Sequence, residues 1–297
     1  MHDFEYRKVV HIKEAVEAIS GSKGSSILMA GGTDLLIKLK EGMIRPARVI
    51  DLKGIPDIDG VAVSEKEMSV GALTTMRALE TSPLVLAKTP LLAQAAAKLG
   101  SVQVRHRATI GGNLCNAAPS AETAPALLAL EAKAEIFGKS GARTLDLYDF
   151  FTGPGETVLG EGEILTYLKI PLNGNGNPRG GVYYKLSARK AMDIAFVGVA
   201  VLLQVGEKGL IKKARIALGA VAPTPLRVFS VEKILEGRPL DDAAVEEAAK
   251  SAMEACRPIS DLRASAEYRR EMVGQLCRRG LFAAYQQASS VKEGERI

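Results

Sequence analysis

The sequence predicts an α+β protein of two domains. Three observations lead there. Residues 27–52 run strand, glycine turn, helix, strand; the stretch Pro171-Leu172-Asn173-Gly174-Asn175-Gly176-Asn177-Pro178 is built of residues that cannot join a packed element; and beyond it three long β-rich runs give way to helical periodicity. With 297 residues, 47% hydrophobic and 25% charged, the chain has room for two ordinary domains and a real core.

Taken in order, residues 11–20 read as an amphipathic helix with Ile12, Ala15, Val16 and Ile19 on one face and Gly21 as its stop. A strand at Ile27–Met29 delivers Ala30-Gly31-Gly32-Thr33-Asp34. Asp34 is placed to cap a helix Leu35–Lys40, and Arg48–Leu52 makes the second strand of a small βαβ unit. From about residue 56 a second lobe begins. Val61–Val63 and Met68–Ala72 read as paired strands, and Thr75–Glu80 and Leu91–Leu99 as helices. Val102, Val104 and Ile110 suggest an extended run into Thr109-Ile110-Gly111-Gly112-Asn113, and Asn116–Glu122 an extended passage. Thr123–Leu130 is a helix that tolerates Pro125 in its first turn. Strands at Lys133–Phe137, Thr144–Leu147 and Ile164–Ile170 complete this part, which ends at residue 173 with lobes of about 1–55 and 56–173. Residues 179–287 then hold a meander, Gly181–Leu186, Ile194–Val205 and Lys212–Val221, followed by helices at Ser230–Glu236, Asp242–Cys256 and Leu262–Tyr285.

Composition narrows the function. No apolar run approaches the roughly 20 residues of a membrane span, and the N-terminus lacks the apolar core of a secretory signal, so a cytoplasmic location is expected. Cys115, Cys256 and Cys277 form no CxxC pair, which argues against a disulfide framework or a metal site built by this chain alone. The net charge of +5 is mild, basic and acidic residues are interleaved, and Trp is absent, a poor basis for nucleic-acid binding.

The two glycine pairs are the candidate site. Consecutive glycines can take φ > 0 and aim successive N–H groups at one point, a concavity that suits a phosphate. Either pair alone is as readily a plain tight turn. Two of them, each followed by a short polar side chain (Thr33, Asn113), suit a diphosphate gripped from both sides.

These motifs, with Leu114-Cys115-Asn116-Ala117-Ala118-Pro119-Ser120-Ala121-Glu122 and Tyr184-Lys185-Leu186-Ser187-Ala188-Arg189-Lys190-Ala191-Met192-Asp193-Ile194-Ala195, resemble the FAD-binding, or medium, subunit of the molybdenum hydroxylases, the group of xanthine dehydrogenase and aerobic carbon monoxide dehydrogenase. Gly219–Pro225 and Ser265–Arg270 resemble that family's C-terminal domain. The resemblance covers nearly the whole chain. It implies a two-lobed FAD-binding domain of the vanillyl-alcohol oxidase (PCMH) type, then a three-stranded antiparallel sheet with a helix bundle. It also implies noncovalent FAD contacted by Leu28, Met29, Ala30, Gly31, Gly32, Thr33, Asp34, Leu35 and Leu36, by Thr109, Ile110, Gly111, Gly112 and Asn113, and by Glu122, Leu165, Lys185, Asp193 and Ile194.

Several of these residues have a plainer reading. Glu122 can serve the dipole of the helix it precedes instead of cofactor hydroxyls, and the family often has Asp there. Lys185 reads as a surface lysine at a strand end; by resemblance it reaches the isoalloxazine, where a cation raises the flavin's potential. Ile194 can equally be the first buried residue of a strand. Cys115 reads as a small buried hydrophobe, not a flavin attachment point. Arg105-His106-Arg107 reads as a solvated basic turn, or as a group facing a partner or the FAD diphosphate.

The expected function is an electron-transfer subunit. In the resembling complexes a large molybdopterin-binding subunit oxidises substrate, a small subunit with two-iron two-sulfur clusters relays electrons, and the flavin subunit passes them to NAD, oxygen or a quinone. The competing readings are a stand-alone FAD-dependent oxidoreductase and a scaffold subunit without cofactor.

Overall fold

The computed structural model describes residues 2–21, 25–172 and 179–294. Most of the expected linker, 173–178, and with it the expected domain boundary, lies outside these residues.

Three sheets organise the chain. The first is parallel, with Arg48–Asp51 between Glu5–Lys8 and Ser26–Met29. The βαβ unit is present, widened by the N-terminal strand, whose charged sequence Glu-Tyr-Arg-Lys carries no apolar alternation. Helix Ile12–Ile19 covers it with Ala15, Val16 and Ala18. The second sheet is antiparallel, in the order Val61–Val63, Glu67–Gly71, Ile164–Pro171, Lys133–Gly138, Gly141–Asp146. Met68, Val70, Ile136, Leu168 and Ile170 alternate toward one face and are fully buried under short helices. Each such side chain contributes about 1.5–3 kcal/mol of burial.

Those helices are set by local signals. Thr75 accepts from the N–H of Ala78, Ser82 from Val85 with Pro83 in the first turn, and Ser101 from Val104, so helices run over Met76–Thr81, Pro83–Lys88 and Val102–Arg105. Thr109 likewise caps a helix Ile110–Cys115. In place of the extended run expected from Val102, Val104 and Ile110 there are two short helices joined by a turn at 106–109, and the second glycine pair opens a helix instead of ending a strand. Asn116–Glu122 is a chain of turns, not an extended passage, with Ala117 at φ 46°.

The third sheet has three long antiparallel strands, Arg179–Leu186, Val197–Val205 and Ile211–Gly219, with the two-residue strand Leu226–Arg227 at its edge. Helices Phe229–Leu235, Asp242–Ala255 and Ala266–Gly294 cover one face, meeting Val182, Val199, Val201, Ile216 and Leu218. Tyr183, Ala200 and Ala217 point the other way and join the core of the preceding sheet and helices. Small residues make that second contact close: a Cβ on Gly219 would stand 2.9 Å from Cγ of Pro125. No helix among the described residues is long and apolar enough to cross a membrane.

Candidate functional site

A cleft of about 1000 Å³ opens where the first two sheets meet, at the carboxyl end of strand Ser26–Met29. Its size is at the upper end of cofactor sites. The first glycine corner forms one wall. Gly32 has φ +80°, and Gly31 lies so close to the second corner that a Cβ there would be 2.0 Å from the carbonyl oxygen of Arg107. From the other side, a Cβ on Gly112 would lie 3.8 Å from that of Ala30. The two corners meet in space.

Their donors differ. Among the described residues, the N–H groups of Gly31, Gly32, Thr33 and Asp34 have no protein acceptor. On the second corner Ile110 donates to the Thr74 carbonyl, Gly111 to Ala72, Asn113 to the Thr109 carbonyl, and Gly112 to the Thr109 hydroxyl. The expectation of backbone donors from both sides is corrected: there the Thr74 and Ala72 carbonyls and the first turn of the capped helix consume them, and what faces the cleft is the side chain of Asn113. Its Oδ1 accepts from the Thr123 hydroxyl at 2.6 Å, which leaves the amide nitrogen free of any protein acceptor among the described residues.

The first corner is held from behind. Lys53 Nζ donates to the Ala30 carbonyl at 3.1 Å and to Asp51 Oδ1 at 2.6 Å, and Asp51 also accepts from the Tyr6 hydroxyl. Burial works to raise the Asp51 carboxyl, but the bonds from Lys53 and Tyr6 outweigh it and hold it below the usual range. Asp34 stands at the start of helix Leu35–Lys40 without capping it; its carboxylate accepts from the Thr33 hydroxyl and from Asn116.

At the far end, Glu122 is buried. It makes no cap bond to helix Thr123–Ala129; its Oε1 accepts from Lys185 Nζ at 2.8 Å. Lys185 Nζ donates further to the carbonyls of Asp193, at 2.7 Å, and Lys98, at 3.0 Å. Burial pushes the Glu122 carboxyl up, and Lys185 offsets part of that. The Asp193 carboxylate accepts from the N–H groups of Arg189 and Ile194, which lower it and lock the loop it closes. Ile194 precedes the strand, which starts at Val197, and is 48% exposed; the reading of it as a first buried strand residue is overturned.

Of the residues expected at the site, all but three line the cleft: Leu28 to Leu35, Thr109, Gly111, Gly112, Asn113, Glu122, Leu165, Asp193 and Ile194 do. Leu36 turns to solvent, Ile110 is fully buried in the core, and Lys185 stands behind Glu122. Arg105 is no solvated turn residue: it is 8% exposed, with both forks of its guanidinium on Glu80 and a bond to the Leu99 carbonyl. Arg107 has an exposed side chain that is not on the cleft wall. Cys115 is partly buried, and burial pushes its thiol up to about 12, a poor nucleophile. Lys38, Asn116, Arg189, Met192 and Arg263 line the cleft without having been anticipated. Only Lys38, one helical turn beyond Asp34, had a local signal. A Cβ-free corner with four unspent N–H donors, an amide opposite and apolar walls beyond at Leu28, Leu159 and Leu165 fits a flavin dinucleotide.

The fold and this donor set define a FAD-binding domain joined to a sheet-and-bundle domain, and comparison with known proteins identifies both. The family model for the FAD binding domain in molybdopterin dehydrogenase matches residues 2–173, and that for the CO dehydrogenase flavoprotein C-terminal domain matches 182–284. The chain is 37% identical to the carbon monoxide dehydrogenase medium chain of Hydrogenophaga pseudoflava, covering 95% of this chain and 97% of that one. It is 32% identical to the putative xanthine dehydrogenase FAD-binding subunit of Escherichia coli (strain K12), covering 92% and 93%. The solved carbon monoxide dehydrogenase from Hydrogenophaga pseudoflava superposes with a TM-score of 0.92 at 35% identity, over 96% of this chain and 98% of that one. The chain belongs to the FAD-binding medium subunits of the molybdenum hydroxylases. It is an oxidoreductase subunit, and its cofactor is FAD.

Proposed function

We propose that this chain is the outlet of a molybdenum hydroxylase assembly: it receives electrons from two-iron two-sulfur clusters on a small partner subunit, fed by a large molybdopterin-binding subunit, and delivers them to NAD, oxygen or a quinone. Bound FAD supplies the chemistry, since a flavin takes up electrons singly and releases them as a pair. The chain's own part is to hold, orient and tune. The N–H groups of Gly31, Gly32, Thr33 and Asp34 and the Asn113 amide would take the diphosphate. Glu122 would accept from ribityl hydroxyls, and Leu165, Asp193 and Ile194 would border the ring. Lys185 would act through Glu122 and the Asp193 carbonyl as a positioning residue.

The observation that carries this is the meeting of the two corners around unspent donors. Two further readings go with it: a domain boundary at 173–178, supported by the separate third sheet, and a cytoplasmic assembly, supported by the lack of a membrane-crossing helix among the described residues.

Co-purification from the native host tests the function. Partner chains carrying molybdenum and iron, with a flavin spectrum in this chain, are expected. Turnover of a small organic donor by the isolated chain would favour the stand-alone oxidoreductase, and a colourless chain that takes up no FAD would leave only the scaffold.

A further inference from the structure

Three cationic side chains line the cleft: Lys38, Arg189 and Arg263. Two are engaged with carboxylates, Arg189 with Asp193 at 3.8 Å and Arg263 with Asp261 at 3.2 Å. Off the wall, Lys185 pairs with Glu122, Arg105 with Glu80 and Lys53 with Asp51, and the Arg107 side chain is exposed. Lys38 has no carboxylate partner among the described residues. Its Nζ donates to a neutral acceptor, Asn116 Oδ1, at 2.9 Å. The Asn116 amide in turn donates to Asp34 Oδ1 at 3.4 Å.

The placement follows from the helix. Lys38 comes four residues after Asp34 on Leu35–Lys40, so the two share a face, and a helical side chain leans back toward the N-terminus. That brings the ammonium toward the corner whose four N–H groups are unspent. Asn116, at the end of helix Ile110–Cys115, reaches across from the second corner. Lys38, Asn116 and Asp34 thus form a polar strap over the end of the cleft where the donors converge. Asp34 is an anion of this strap, and it works against a second anion unless a cation offsets it.

We propose that Lys38 is the counter-cation for the dinucleotide's diphosphate and that its bond to Asn116 straps this end of the cleft shut around it. A compact ammonium on a flexible stem can serve both the amide and a phosphate oxygen, donating to each with a different proton. Backbone N–H groups recognise the diphosphate by direction; Lys38 supplies the charge they lack. This assignment rests on the reading of the cleft as the FAD site.

The test uses the full chain stripped of flavin and titrated with FAD and with riboflavin, which has no phosphate, across a range of salt. Lys38→Met is expected to weaken FAD about tenfold or more at low salt and to flatten the salt dependence, with riboflavin unchanged and Lys38→Arg restoring most of the loss. Asn116→Ala is expected to speed FAD release while leaving the salt dependence in place. Wild-type FAD affinity and salt response in Lys38→Met would overturn the assignment while leaving the FAD site intact. An equal loss for riboflavin would overturn it as well, by making Lys38 a structural clamp. An unchanged release rate in Asn116→Ala would remove the strap. If the wild-type chain took up no FAD, the site itself would fail, and this inference with it.

Discussion

Gly31 packs against the carbonyl of Arg107, at a distance that leaves no room for a side chain: a Cβ would be 2.0 Å from the oxygen and 2.8 Å from its carbon. Both atoms are backbone, so nothing can swing aside. The first corner is therefore positioned by the segment that leads into the second, and the cleft's geometry is a property of the pair.

Gly31→Ala is expected to push the corners apart at a cost of about 1–3 kcal/mol. FAD content should fall and the melting temperature with it. Gly206→Ala, whose Cβ would meet nothing nearer than 3.6 Å, is the matched control and should leave both unchanged. Full FAD occupancy in Gly31→Ala would show that the contact yields.

Glu122 and Lys185 give a pH signature. The Glu122 carboxyl is raised in the folded protein by burial, with Lys185 offsetting part. A carboxyl raised on folding binds more protons folded than unfolded. Its stabilisation is complete below the unfolded value and disappears as pH rises through the folded one. Lys185→Met removes the offset and leaves a buried charge, so it should cost about 3 kcal/mol at neutral pH, with the deficit shrinking on acidification. Glu122→Gln added to Lys185→Met should recover part of the loss. Thermal melts of the wild type and the two variants across pH decide it; a deficit independent of pH would assign the strain elsewhere.

Glu163, on the cleft rim, behaves oppositely. Hydrogen bonds from Arg143 and from the Gly160 N–H, working against burial, bring its carboxyl down to about 2. Its contribution is present above the unfolded glutamate value and is lost as pH falls toward about 2. Glu163→Gln should lower stability at neutral pH by up to about 1 kcal/mol, converge with the wild type in acid and so flatten the acid limb of the stability profile. An acid limb like that of the wild type would reject the pairing as a source of acid sensitivity.

Thiol chemistry should be silent. Cys115, Cys256 and Cys277 are each pushed up to about 12 by burial. A disulfide reagent at mildly alkaline pH should titrate no fast thiol in the folded protein and three after denaturation. Cys115→Ala should keep its flavin, released intact by acid. A flavin that stays attached through denaturation would contradict this.

What was legible in the sequence was what local chemistry decides. Ala30-Gly31-Gly32-Thr33 after an apolar strand, the meander after residue 179 and the apolar face of Asp242–Ala255 each carry their own signal. Val102, Val104 and Ile110 misled because β-branched residues favour strands, whereas Ser101 and Thr109, each accepting from an N–H three residues on, start helices too short to show periodicity. Ile194 misled because Ile194-Ala195-Phe196-Val197 is one apolar run; pairing begins only at Val197 because the partner strand ends at Leu186. Arg105 looked solvated because Glu80 is far along the chain, and Arg263 reaches the cleft only through tertiary packing.

The shared core beneath the third sheet bears on how such a chain can be rearranged. Tyr183, Ala200 and Ala217 complete the packing of the first part, and Glu122 draws its cation from the second. A fragment cut near residue 172 would carry an acid without its base and a raw apolar wall where a β-strand belongs. Such a flavoprotein can change its companions, but its two halves have to travel together.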